Sequence, residues 1–272
     1  MATVKNIRWL YETVKDEEGA AQFLRERGLL HSERLCPVCG EAMRQGRGGM
    51  AWCCYKRSCC REVSIRTGTW FERINKSVTA RWNRHLRQVV VEALAEAPVQ
   101  LGGPSRNVEL DQFLFSRSKY NRGKRYPQQW VFRGTCRETG DAFVVPLEDQ
   151  SSQTLLPSIQ RHVRAGTTVI TDEWRAYRCL GREAYKHLRV NYSVNFVDRA
   201  TGGHMQSVES LCAQAKWRCG TRRSALRSHL CEFTWRKRLA ASDDAFDAIL
   251  ADILRLHLPR SDASPTSIPV PQ

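Results

Sequence analysis

Six of the chain's eleven cysteines fall between Cys36 and Cys60. They stand as CPVCG (36–40) and WCCYKRSCCR (52–61), in a stretch otherwise rich in Gly and Arg. A segment with so few apolar residues needs a staple to fold. Two short loops that each present a pair of thiolates can hold one tetrahedral zinc ion. Residues 35–70 are therefore predicted to form a zinc ribbon. Its ion is structural, because four Cys leave no open coordination position. The first pair is Cys36 and Cys39. The second pair stays open on spacing, because Cys53/Cys54 and Cys59/Cys60 are both doublets. An odd cysteine count in an intracellular chain reads as metal ligands and free thiols before disulfides.

The 272 residues carry 43 Lys+Arg against 28 Asp+Glu, a net charge of +15. Such an excess points to a polyanionic partner, most often nucleic acid. Residues 41–90 hold 11 Lys+Arg and 3 Asp+Glu, about half of that excess. The ribbon is thus a candidate contact for double-stranded DNA, through Arg57, Arg61 and Arg66. A hydrophobic content of 42% allows a real core and excludes wholesale disorder. No apolar run approaches the roughly 20 residues that span a bilayer. The segment MATVKNIRWLYETVKDEEG has acids where a signal peptide needs an apolar region. The expectation is a soluble, intracellular protein with no membrane partner.

Hydrophobic periodicity predicts helices within 4–30, closed by Gly28, and one amphipathic helix over 80–96 ended by Pro98. LGGPSRN (101–107) reads as a linker. Beyond it, NVELDQFLF is a strand, and QQWVFRGTC and DAFVVPLED flank a turn as a hairpin. SSQTLLPSIQRHVRAG is a helix capped by Ser151 or Ser152. TTVITD is a buried strand, EWRAYRCLG a helix, and LRVNYSVNF an extended segment. Residues 205–258 read as mostly helical, and the Pro/Ser-rich tail as disordered. Interleaved strands and helices with an antiparallel hairpin give a mixed α/β class.

Three acids lie in separate elements of this region. Asp111 sits inside the first strand among apolar residues, where an acid costs energy unless it is paired or binds a metal. Asp172 ends the strand TTVITD, a common site position in α/β sheets. Glu209 lies in the predicted helix MQSVESLCAQAK. Three carboxylates from separate elements suit two hard divalent cations. Taken singly, Asp172 also reads as a helix cap and Glu209 as a surface acid. In 215–238, Lys216, Arg222 and Arg223 are candidate phosphate contacts. Phe233 and Trp235, interleaved with them, read as core.

The run VELDQFLFSRSKYNRG…QQWVFRGTCRETGDAFVVPLEDQ…TTVITDEWRAY…HLRVNYSVNFVDRATGGHMQSVES…CEFTWRKR resembles the Merlin superfamily of DNA transposases. These are eukaryotic relatives of the bacterial ISXO-type insertion-sequence transposases. The resemblance spans about residues 10–258 and includes the ribbon motifs. It implies an RNase H-like mixed sheet with flanking helices and a catalytic triad of Asp111, Asp172 and Glu209. The triad would hold Mg2+ or Mn2+. The resemblance also implies that Cys36, Cys39, Cys54 and Cys59 bind the zinc. The implied reaction is DNA cleavage and joining by two-metal phosphoryl transfer in the nucleus, by at least a dimer. His204, five residues before Glu209, either contacts the scissile phosphate or is structural.

The implied division is a helical segment (1–34), the zinc ribbon (35–70), a linker helix (71–106), an RNase H-like domain (107–258) and a disordered tail (259–272). The sequence departs from the family at Gln112, at Met205-Gln206 and at Cys212. The linker is short: only about 40 residues separate Gly68 from Val108, where relatives carry an extra helix-turn-helix-like stretch. Helix-turn-helix units read base edges. The alternative function is therefore a domesticated or degenerate copy that binds DNA without catalysis.

Overall fold

The computed structural model describes residues 5, 9, 12–72, 79–115, 129–190, 225–239 and 243–259. In chain order the elements are α1 (Glu17–Glu26), β1 (Arg44–Gly46), β2 (Ala51–Cys53), β3 (Glu62–Ser64) and α2 (Thr79–Glu96). There follow β4 (Asn107–Leu114), β5 (Trp130–Cys136), β6 (Ala142–Leu147), α3 (Ser152–His162) and β7 (Thr168–Thr171). Last come a 3-10 helix (Arg175–Arg182), β8 (Lys186–Arg189), α4 (Leu226–Arg238) and α5 (Ala245–Leu256). None of these helices is long and apolar enough to cross a membrane. The chain divides into two compact units, Met1–Val89 with Ala241–Gln272, and Val90–Ala240.

In the first unit, β1, β2 and β3 make a small antiparallel sheet in that order. α1 starts where the Asp16 carboxylate accepts the backbone N–H of Gly19, and ends before Gly28 in the left-handed region at φ 71°. Phe23, Leu29 and Leu30 pack with Trp52, Ile65, Phe71 and Val89. Leu250 and Ile253 of α5 join the same core, although the sequence reading carries the α/β domain to residue 258.

The second unit is a mixed α/β sheet in the order β6-β5-β4-β7-β8. The β6, β5 and β4 neighbours run antiparallel, whereas β4–β7 and β7–β8 run parallel. β4 is central, so both of its faces are covered. Val108 and Leu110 pack with Phe132, Phe143, Leu155, Ile159, Val169 and Tyr177 under α3 and the 3-10 helix. Phe113 faces the other way, with Val131, Val144 and Leu226, Leu230 and Phe233 of α4. Phe233 and Trp235 are buried, as core residues. The expected hairpin is present as β5 and β6, joined through the turn after Cys136. That turn is tied to β4: Asn107 donates its backbone and side-chain N–H to the Glu138 carboxylate at 3.0 and 2.8 Å. Burial pushes Glu138 up, but these hydrogen bonds outweigh it and hold its pKa at about 2. Ser151 caps α3 as expected, accepting from Thr154. EWRAYRCLG folds as a 3-10 helix, with Tyr177 N–H donating to Trp174 O at 3.0 Å.

Close packing of the sheet depends on one missing side chain. A Cβ on Gly134 would lie 2.5 Å from Phe143 Cε1 and 2.7 Å from Leu110 Cδ2. Neither ring nor isobutyl group can retreat inside a fully buried layer. Gly134→Ala is therefore expected to lower stability by about 1–3 kcal/mol through overpacking, read as a lower midpoint in chemical denaturation. Gly140→Ala, in open space but at φ 72°, serves as a backbone-strain control.

Candidate functional site

The ribbon brings Cys36, Cys39, Cys54 and Cys59 together. Their sulfur atoms all lie within 4.8 Å of one another, with Cys36–Cys59 at 3.6 Å and Cys39–Cys54 at 3.5 Å. Zinc–thiolate bonds of about 2.3 Å place the sulfurs of a tetrahedron about 3.8 Å apart. The cluster therefore fits a zinc ion in both donor type and spacing. Two similar turns build it. Gly40 N–H donates to Cys36 O at 2.9 Å, and Cys60 N–H to Lys56 O at 3.0 Å. The residue after the second cysteine of each turn is left-handed: Gly40 at φ 73° and Cys60 at φ 46°.

Strand alternation separates the doublets. Trp52 and Cys54 point into the core, so Cys53 between them points out. Cys60 is exposed, and its sulfur lies against the carbonyls of Lys56 and Arg57. The thiols titrate apart. The Cys39 N–H pulls Cys36 down to about 6, against burial and aided by the Val38 N–H. The Arg61 N–H also pulls on Cys59, but burial and three neighbouring thiols outweigh it and push that group up. One thiolate forms readily and the next are resisted, a conflict that a dication removes.

Of the predicted DNA contacts on the ribbon, Arg57 and Arg61 are exposed. Arg66 is half-buried, and its Nε donates to the Phe71 carbonyl at 2.8 Å. Lys216, Arg222 and Arg223 lie outside the described residues, as do Glu209 and His204.

The two aspartates meet at the sheet's centre. β4 and β7 pair in parallel as Asn107↔Thr168, Val108↔Val169 and Glu109↔Ile170. Asp111 and Asp172 each lie two residues past the last of these rungs, near enough for the charge of Asp111 to act on the Asp172 carboxyl. Asp111 shares the face of Glu109 and Phe113, because side chains alternate along a strand. Asp111 Oδ1 accepts the Gln112 N–H at 2.7 Å, and Asp172 Oδ1 accepts the Trp174 N–H at 3.1 Å. Asp172 thus also caps the following turn. Burial pushes its carboxyl up, and the charges of Asp111 and Glu173 push in the same direction. The fully buried Tyr177 hydroxyl is raised by burial and by both aspartates, and has no hydrogen-bond partner among the described residues.

One member of this neighbourhood escaped the sequence reading. Arg133 of β5 stands directly across from Asp111, and its Nη2 donates to Asp111 Oδ2. It is 4% exposed. Its signal was available: WVFRGTC places a charged residue inside an otherwise apolar strand. Beside it, Glu109 is fully buried and accepts from Arg137 Nε at 2.6 Å.

Residues 106–237 match the ISXO2-like transposase domain. The matched segment carries Asp111, Arg133, Asp172 and Glu209, and supports a transposase function. Over 56 residues, 21% of this chain, the sequence is 34% identical to an uncharacterized transposase-like protein of Haemophilus influenzae (strain ATCC 51907 / DSM 11121 / KW20 / Rd). The chain spans about half of that relative's length, 46%. Among solved structures, it is similar to a chain of the cryoEM structure of the simian T-cell lymphotropic virus intasome in complex with PP2A regulatory subunit B56 gamma. That similarity has a TM-score of 0.35 and 14% identity, over 72% of this chain and 71% of that one.

The ribbon geometry predicts one zinc per chain by elemental analysis of the purified protein. Cys54→Ser and Cys36→Ser lose the metal, whereas Cys53→Ser and Cys60→Ser keep it. Protons compete for the thiolates, so zinc affinity falls as pH drops, most steeply below about 6, where the most acidic thiol is protonated as well.

Proposed function

We propose that this chain is a DNA transposase that cuts and joins DNA strands by phosphoryl transfer. The observation that carries the reading is the parallel pairing of β4 with β7, which brings Asp111 and Asp172 within electrostatic reach inside the ISXO2-like segment. An RNase H-like fold for this unit is supported by its sheet, in which an antiparallel three-strand run continues into two parallel strands. Kinship with the Merlin superfamily is supported by the motifs DEWRAY and NFVDRATGGHMQSVES. A nuclear location follows from that eukaryotic kinship. A dimer follows from the need to bring two DNA ends together.

Asp111 and Asp172, with Glu209, would hold Mg2+ or Mn2+, since carboxylate oxygens suit hard cations. When bound, such ions lower the pKa of water and neutralise charge on a phosphoryl group. The chain's own contribution is orientation. The Gln112 and Trp174 N–H groups fix one oxygen of each aspartate, and Arg133 holds the second oxygen of Asp111. Tyr177 and the apolar layer beneath it exclude water from one side of the pair.

Strand cleavage on a labelled duplex tests the reading. Asp111→Asn, Asp172→Asn and Glu209→Gln are each expected to abolish cleavage while DNA affinity is retained. Cleavage surviving in Asp172→Asn would remove the assignment. For the ribbon, Arg57→Ala with Arg61→Ala is expected to weaken DNA binding evenly across sequences. The slope of log affinity against log salt should fall by about 1 for each lost phosphate contact. A sequence-dependent loss would instead place these residues at base edges.

A second reading is favoured by the Arg133–Asp111 ion pair and by the short stretch between ribbon and sheet. It is a copy that binds DNA without cutting it. The wild-type cleavage assay decides between the two.

A further inference from the structure

Arg133 is an expensive residue to place in the middle of a sheet. It is 4% exposed, and its Nε and Nη1 have no hydrogen-bond partner among the described residues. A buried guanidinium left largely unsatisfied works against stability unless its remaining contact is strong. That contact is Asp111 Oδ2. The Phe113 ring, with its centroid 5.0 Å from the guanidinium carbon, is the other favourable neighbour. Two carboxylates at adjacent central strands repel each other when no cation lies between them. Arg133 offsets that repulsion from within the fold.

A divalent ion arriving at Asp111 would provide the same charge more strongly. It would also need the oxygen that Arg133 now holds, and its own positive charge would repel the guanidinium. Coupling of this kind is reciprocal: whatever the ion costs the Arg133–Asp111 pair, the pair costs the ion. Resting on the reading of Asp111 and Asp172 as a cation site, we propose that Arg133 is an internal counter-cation. It competes with divalent metal for Asp111 and so sets the metal concentration at which the site becomes loaded. Arg133 is in these terms a positioning residue, acting through Asp111.

The test is calorimetric titration of Mn2+ into the zinc-loaded full chain. Arg133→Met removes the charge while keeping an unbranched chain. It is expected to bind Mn2+ at least about tenfold more tightly than wild type, the scale of one removed neighbouring charge. Arg133→Lys keeps a charge with a shorter reach, and is expected to fall between the two. It supplies the comparison if the Met variant does not fold. A second readout follows from reciprocity. The stability coupling between positions 111 and 133, measured in a double-mutant cycle with Asp111→Asn, should shrink when Mn2+ is saturating.

Equal or weaker Mn2+ affinity in both Arg133 variants, with binding lost in Asp172→Asn, overturns the role of Arg133 and leaves the carboxylate site standing. Mn2+ affinity that Asp172→Asn does not change places the ion elsewhere and overturns both. A purely structural Arg133 would lower the melting temperature without tightening Mn2+, and that result also overturns the proposal.

Discussion

β4 is the strand on which the second unit depends. It pairs antiparallel with β5 on one side and parallel with β7 on the other, so it is where the sheet changes direction. Its whole length pairs with β5, its first three residues also pair with β7, and apolar layers pack on both of its faces. Such a strand should be apolar throughout. Instead it carries Glu109 and Asp111 on one face, opposite the Val108 and Leu110 layer. Charge can persist there only if a neighbouring segment answers it, and β5 does so with Arg133 and the turn after it with Arg137. The change of strand direction and the charged rungs fall at the same place. The parallel partner β7 ends immediately before Asp172, whose carboxyl feels the charge of Asp111.

The ribbon solves a different problem. Its strands are three residues each, too short to hold a sheet by pairing alone. Trp52, Ile65 and Met43 give it a small buried centre. The four thiols tie its two turns together across the sheet's end. Because the ligand turns need left-handed residues after Cys39 and Cys59, the motif prefers glycine at both places. This chain has glycine at one and Cys60 at the other. Cys60 is thus explained by backbone geometry and exposure, without a role in metal binding.

Much of this was legible in the residues because the relevant signals are local. Alternation in NVELDQFLF, the turn between the two hairpin strands and the Ser cap of α3 each reside within a few positions. The boundaries of α2 follow from its apolar stripe. Long-range facts were harder. Nothing in AFDAILADILRL says that α5 packs with Phe23 and Leu29 from near the other end of the chain. The choice between Cys53 and Cys54 needed the strand's phase, which three residues cannot set by themselves. Arg66 looked like any other basic residue of the ribbon, yet a carbonyl five positions on takes its guanidinium. Arg133 was visible as an anomaly, but its meaning depended on a register that pairs it with Asp111 across 22 residues of chain.

The acid–arginine pairs that tie β4 to β5 and to the turn after it are chemically alike and differ in the depth of the acid. Glu109 is fully buried and Arg137, itself 20% exposed, holds it at a short distance, so the acid has no water to turn to. Breaking a pair of that kind costs about 3–5 kcal/mol, because the surviving charge is stranded. Asp111, two residues nearer the sheet's edge, keeps 20% of its side chain exposed. Its charge can be answered either by Arg133 or by something from outside. The gradient from dry to accessible over two rungs of one strand therefore separates a structural pair from an exchangeable one. Exchange is what the proposed cation site would require, and the same sequence pattern can serve both purposes because the depth of the acid, rather than residue type, decides between them.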